Sequence, residues 1–236
     1  PAIALPTDHF NTILWTGDDS IEPRSFTGVG FQPDFVWTKI RSAGYGHLLW
    51  DAVRGVSKNL SSDSTAAEVT DNTSGDITAF GSDGFTYTIG SSNNYNYGLN
   101  TETYVAWNWK AGGTAVSNTD GTITSSVSAN TTAGFSIASY TGNNTAEATI
   151  GHGLSQTPDW VIVKDRDNSA TQWVHNPRGA LGANYYGYFT DGAFAADTSN
   201  VFWYDPTASI VKISAHAEVN ASATDYIMYC FHSIEG

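Results

Sequence analysis

The chain has 236 residues, enough for one large domain or two small ones with real cores. Hydrophobic residues make up 40% and charged residues only 14%, well under the usual share of about a quarter, while aromatics reach 13% and glycines number 23. That mix favours β-strands joined by turns over a helical bundle. A formal net charge of -13 repels phosphate backbones and anionic membranes, and no apolar run approaches about 18 residues, so neither nucleic-acid binding nor membrane insertion is expected. The single cysteine, Cys230, rules out an internal disulfide framework. Residue 1 is proline and Met228 is the only methionine, so a processed product or a piece of a longer protein is expected.

Taken in chain order, Trp15-Thr16-Gly17-Asp18 leads into a turn. Phe35-Val36-Trp37-Thr38-Lys39-Ile40 reads as a strand entered through Pro33. Residues 64–69 offer the clearest single helical turn. Phe85 and Tyr87 alternate with threonines and share one strand face with Ile89. Residues 104–109 form a strand that places Val105, Trp107 and Trp109 together on the face assigned to the core. Residues 114–133, rich in Ser, Thr, Asn and Ala, read as a linker with a short strand at Thr122-Ile123-Thr124. Trp160-Val161-Ile162-Val163-Lys164 is another strand, and Tyr226 to Phe231 a last one, with Ile227, Tyr229 and Phe231 assigned to its core face.

These elements repeat. Trp15, Pro33-Asp34 and Lys39 recur as Tyr140, Pro158-Asp159 and Lys164, each 125 positions later. Tyr104 recurs as Tyr226 at an offset of 122, and Arg54-Gly55 matches Arg178-Gly179 at 124. Order and spacing agree over about 100 residues, which chance composition does not produce. The expected architecture is all-β: two tandem antiparallel sandwiches of jelly-roll or lectin-like type, at 1–113 and 134–236, joined by the linker at 114–133. Each half carries a net charge of -6, so neither is a basic arm.

Chemistry-bearing motifs are weak. Asp165-Arg166-Asp167-Asn168 resembles the start of a calcium loop, but an EF-hand requires glycine at its sixth position and glutamate at its twelfth, where Ala170 and Asn176 stand. No metal and no cofactor is expected. The six histidines lack zinc-site spacing, and there is no nucleophile elbow. Cys230, flanked by Tyr229 and Phe231 in a strand, reads as a buried inert thiol. Glu102, Glu218 and Asp225 lie near strands but are not paired as a glycosidase requires. Catalysis is not expected, with a polysaccharide depolymerase as the lesser alternative. Because Pro-Asp and Arg-Gly occur in both halves, they read as fold determinants, the Arg bridging to a carboxylate. The strongest recognition signal is aromatics among small polar residues in segments read as loops: Tyr95 and Tyr97; Tyr185, Tyr186 and Tyr188; Trp203 and Tyr204. Flat rings cover apolar sugar faces while Asn or Asp meets hydroxyls, and the competing reading is packing beneath the same loops.

The segments Pro-Thr-Asp-His-Phe-Asn-Thr (6–12), Gly-Val-Gly-Phe-Gln-Pro-Asp-Phe-Val-Trp (28–37), Asp-Ala-Val-Arg-Gly (51–55), Phe-Gly-Ser-Asp-Gly-Phe (80–85) and Tyr-Val-Ala-Trp-Asn-Trp-Lys-Ala-Gly-Gly (104–113) resemble a β-rich module of virion proteins from marine tailed bacteriophages. The second half is similar more loosely, through 151–154, 158–164 and 226–231. The resemblance implies a virion component, from a tail fibre or similar appendage, and carries no catalytic residue set. Its implied partners are other virion proteins, a homo-oligomer (a trimer favoured) and a host-surface glycan or protein. The alternative is a purely structural part, such as a capsid decoration or fibre shaft, whose aromatics serve subunit packing.

Overall fold

The structure, a computed structural model, describes residues 5–20, 22–70, 75–88, 98–182, 184–198, 200, 202 and 205–234. Two compact units divide it. The first runs to Gly113 without Ser64–Ala67, which cluster with the second, from Thr114 onward. The first unit holds β1 (Phe10–Thr16), β2 (Arg24–Thr27), β3 (Phe35–Ile40), β4 (His47–Asp51), β5 (Lys58–Ser61), β6 (Val69–Thr70), β7 (Asp76–Gly81), β8 (Gly84–Thr88) and β9 (Thr103–Trp109). The second holds β10 (Val116–Asn118), β11 (Ser125–Asn130), β12 (Phe135–Thr141), β13 (Ala148–Gly151), β14 (Trp160–Asp165), β15 (Val174–Asn176), α1 (Arg178–Leu181), β16 (Tyr185–Tyr188), β17 (Asp191–Ala196), β18 (Ile210–Ile213), α2 (Ala217–Asn220) and β19 (Asp225–Phe231). Residues 64–68 are not helical; the described helical segments are a 3-10 turn at Pro6–Asp8, α1 and α2.

Each unit is an antiparallel β-sandwich. In the first, a sheet of order β1-β9-β3-β4-β5-β6 faces a smaller one, β2-β8-β7. The first strand pairs with the last and the second with the next to last, the wrapping that brings distant chain ends into one jelly-roll sheet. A β3-β4-β5-β6 meander then extends the larger sheet. The second unit repeats the pattern with β12-β19-β14-β15-β16-β17 and a β13-β18 pair. Trp15, Val36, Trp50, Tyr104 and Ala106 of the larger first sheet pack on Phe26, Ile77, Phe85 and Tyr87 of the smaller. Ala138, Tyr140, Val161, Val163, Tyr226, Met228 and Cys230 pack on Ala148, Ile150, Val211 and Ile213 in the second. Stacked rings mark the same place in both: Trp15 on Tyr104 at 5.3 Å, and Tyr140 on Tyr226 at 5.2 Å.

The copies agree down to single backbone bonds. Gly17 N–H donates to Glu102 O, and Gly142 N–H to Thr224 O. Asp19 N–H reaches Gly98 O, and Asn144 N–H reaches Asn220 O. Tyr104 hydroxyl accepts Leu99 N–H, and Tyr226 hydroxyl accepts Ala221 N–H. The offset is 125 before the hairpins and 122 after them, so the second copy is three residues shorter between.

Three expectations need correction. First, residues 114–133 are not a linker: β10 and β11 extend the second unit's large sheet beyond β12, and Ile123 makes an isolated bridge to Ile150. Second, the sandwich core takes Tyr104 and Ala106, and Tyr226, Met228 and Cys230; Val105, Trp107 and Trp109, and Ile227, Tyr229 and Phe231, point the other way. Both faces of these central strands are apolar, so alternation alone does not name the inner one. Third, Arg178-Gly179 is not the register partner of Arg54-Gly55. Ala52 N–H donates to Asp34 O, and it is Gly179 N–H that donates to Asp159 O. Each Arg does bridge to a carboxylate. Arg54, buried, pairs with Asp51 and Glu68, and Arg178 pairs with Asp205 at 3.0 Å.

Candidate functional site

The duplication separates scaffold from site, because what the fold requires must occur in both units. Asp34 and Asp159 are scaffold. Asp34 Oδ2 accepts Ala111 N–H and Gly113 N–H at 2.8 and 3.1 Å, and Asp159 Oδ2 accepts Ser233 N–H at 2.6 Å. Lys39 and Lys164 are scaffold too. Lys39 Nζ donates to the Ala43 and Tyr45 carbonyls, and Lys164 Nζ to those of Thr65, Asp165 and Thr171. Burial pushes the Lys164 ammonium down to about 8, but its donors are committed to carbonyls.

The acidic motifs are absorbed by turns. Asp165 Oδ1 accepts Asp167 N–H and Asn168 N–H, and its Oδ2 accepts the Asn168 side chain. No group of three or more His, Cys, Asp or Glu fit to hold a metal ion occurs among the described residues. No described helix is long and apolar enough to cross a membrane. Cys230 is fully buried, and that burial pushes its thiol well above the ordinary range.

An aromatic ladder crosses the outer face of each large sheet. In the first unit Phe10 meets Trp109 at 4.8 Å and Trp109 meets Phe35 at 5.2 Å. In the second, Phe135 meets Phe231 at 4.8 Å and Phe231 meets Trp160 at 5.4 Å. Each ladder reaches a histidine: Trp37 Nε1 donates to His47 Nδ1 at 2.9 Å, and Trp160 Nε1 to His175 Nδ1 at 3.1 Å. In the first unit the aromatics stop there, since β5 and β6 carry none. In the second they continue. His175 meets Phe189 at 4.8 Å and Phe194 at 5.2 Å. His175 is buried, and the loss of solvent pushes it down to about 4, so the ring is neutral at neutral pH.

Gly187 makes this continuation possible. A Cβ there would lie 2.7 Å from the Phe194 ring, so only glycine admits Phe194 over β16. Tyr185 opposes Ala196, which places it on the same face as Phe194. Both are open to solvent, at 38% and 46%. The outer face of the β16–β17 hairpin is thus a two-ring surface beside the buried His175 and the half-buried Phe189.

Of the chosen aromatics that lie among the described residues, Tyr185 alone joins that surface. It lies on a strand rather than in a loop, as do Tyr186 and Tyr188. Those two point inward onto Phe202, at 4.5 and 6.1 Å, and are half-buried. Burial, with Glu218 alongside, raises the Tyr188 hydroxyl. Tyr95, Tyr97, Trp203 and Tyr204 lie outside the described residues. The sequence reading missed Phe194, His175 and Phe189; an aromatic two positions beyond Gly192 in an alternating stretch was the available signal.

Fold and surface together define an all-β protein of two duplicated sandwiches, the second carrying its own extra strands. Residues 5–236 match the profile of a family described as a domain of unknown function (DUF7483), and the chain belongs to that family. No curated protein and no solved structure matches it.

Proposed function

We propose that this chain is a non-catalytic recognition module of a phage virion, part of a tail fibre or similar appendage, which binds a host-surface glycan or protein. The observation that carries the reading is the exposure of Tyr185 and Phe194 on one face of the β16–β17 hairpin, whose counterparts in the first sandwich, β5 and β6, carry no aromatic. Exposed rings on a rigid strand pair lose little entropy on binding and stack on apolar sugar faces. The virion setting rests on the resemblance of the motifs quoted above. Whole-cell binding and a glycan array with purified protein test it. Binding lost in both Tyr185→Ala and Phe194→Ala supports the reading, and binding unchanged in both contradicts it.

A structural role in the particle is the second reading, favoured by β17 itself. This strand, last in its sheet among the described residues, is exposed along all six positions with Asp191 as its only charge, and an edge of that kind accepts a neighbouring strand. A homo-oligomer, a trimer in the favoured version, would bury it. Light scattering decides: a defined oligomer without ligand binding supports this reading, and a monomer contradicts it.

A further inference from the structure

We propose that a hydroxyl-lined hollow on the second unit's large sheet binds a neutral polyhydroxylated ligand, one sugar residue of a glycan. The hollow has a volume of about 380 Å³, within the lower part of the range of about 300–1,000 Å³ for small-molecule sites. It lies where β10, β11, β12 and β19 run side by side. Ser117 opposes Ser126, Ser126 opposes Ser139, and Thr141 opposes Asp225, so their side chains share the outer face.

Asp225 is held ready. Thr141 Oγ1 donates to its Oδ1 at 2.7 Å, while Arg166 Nη1 stands 4.0 Å from its Oδ2 and 3.4 Å from Ser139 Oγ. The Asp225 side chain is 49% exposed. A carboxylate beside a guanidinium, ringed by hydroxyls, offers both acceptors and donors to sugar hydroxyls. Other ligand classes fit poorly. The net charge and Asp225 repel anions, a lone carboxylate does not hold a metal ion, and the lining is mostly polar.

The fold does not need this hollow. Among the described residues the first sandwich has no counterparts of β10 and β11, and there Leu14 and Thr103 stand at the register positions of Ser139 and Asp225. The hollow shares no residue with the Tyr185–Phe194 surface, so either site can fail without the other.

The test is amide NMR on the full chain, titrated separately with the methyl glycosides of glucose, galactose, mannose and N-acetylglucosamine to tens of millimolar. At least one should shift the amides of Ser126, Ser139 and Asp225. Asp225→Asn, and Ser139→Leu, which installs the first copy's residue, should each weaken that response by about tenfold or more at unchanged melting temperature. If no glycoside moves those amides, or if shifts appear only on β16 and β17, the hollow is not a sugar site. Unchanged affinity in both variants would overturn it equally.

Discussion

Asp34 and Asp159 hold the same place in two copies of one sandwich, each accepting the backbone N–H of the residue two positions past the last strand, Ala111 and Ser233. Each thereby ties the entrance of the third strand to the exit of the last. Their protonation runs in opposite directions. Ser233, through its hydroxyl and its backbone, holds the Asp159 carboxyl below the ordinary 3.8, whereas burial raises Asp34 above it. Asp159 therefore contributes stability that is present above 3.8 and lost as pH falls through its folded-state value. Asp34 favours the fold most below 3.8, and that part is lost as pH rises through its own. Acid titration of unfolding should show Asp159→Asn flattening the acid-side loss and Asp34→Asn steepening it. Asp34→Ala should cost about 1–3 kcal/mol at neutral pH, because it leaves two N–H groups unpaired.

Gly17 and Gly142 make a matched pair for mutation. A Cβ would lie 2.1 Å from Leu99 O in one and 2.2 Å from Ala221 O in the other, both backbone atoms that cannot swing away. Alanine at either should destabilise by about 1–3 kcal/mol, read as a fall in urea midpoint. Gly192→Ala, where a Cβ meets nothing, should stay within about 0.5 kcal/mol of the native chain.

His175 should give the second unit a pH signature. Its folded-state value of about 4 lies below the ordinary 6.5, so as pH falls between them the unfolded chain takes a proton that the folded chain refuses. Stability falls across that window by at most about 3 kcal/mol. Urea melts at about pH 7 and about pH 4.5 should show a smaller difference for His175→Leu than for the native chain. An equal difference would mean that His175 is solvated.

The thiol of Cys230 should be silent. A fully buried group whose burial disfavours the thiolate should resist a thiol reagent at mildly alkaline pH and react only as the chain unfolds in urea. Mass spectrometry of the labelled protein at each urea concentration reads this directly.

The duplication was legible because glycine, proline and aromatic positions constrained by geometry survive in both copies: Gly17 and Gly142 at a close backbone approach, Trp15 and Tyr140 in a ring stack. Side-chain direction was less legible. Met228 and Cys230 face the core and Tyr229 does not, yet all are apolar, and strand alternation carries no sign when both faces are shielded. The strand Ser125–Asn130 escaped notice because its outward residues are serines, whose composition suggests a linker. Tyr185–Tyr188 read as a loop because Asn and Gly surround it, although Gly187 is there to admit Phe194 within a strand pair.

The most direct test of the recognition account is one binding screen, glycan array and intact host cells together, run with the native chain and with Tyr185→Ala, Phe194→Ala and the double variant. The account predicts specific binding by the native chain, a loss of about tenfold or more in each single variant, and no detectable binding in the double variant at an unchanged melting temperature. Binding by the native chain that survives the double variant would contradict it, as would no binding by the native chain at all.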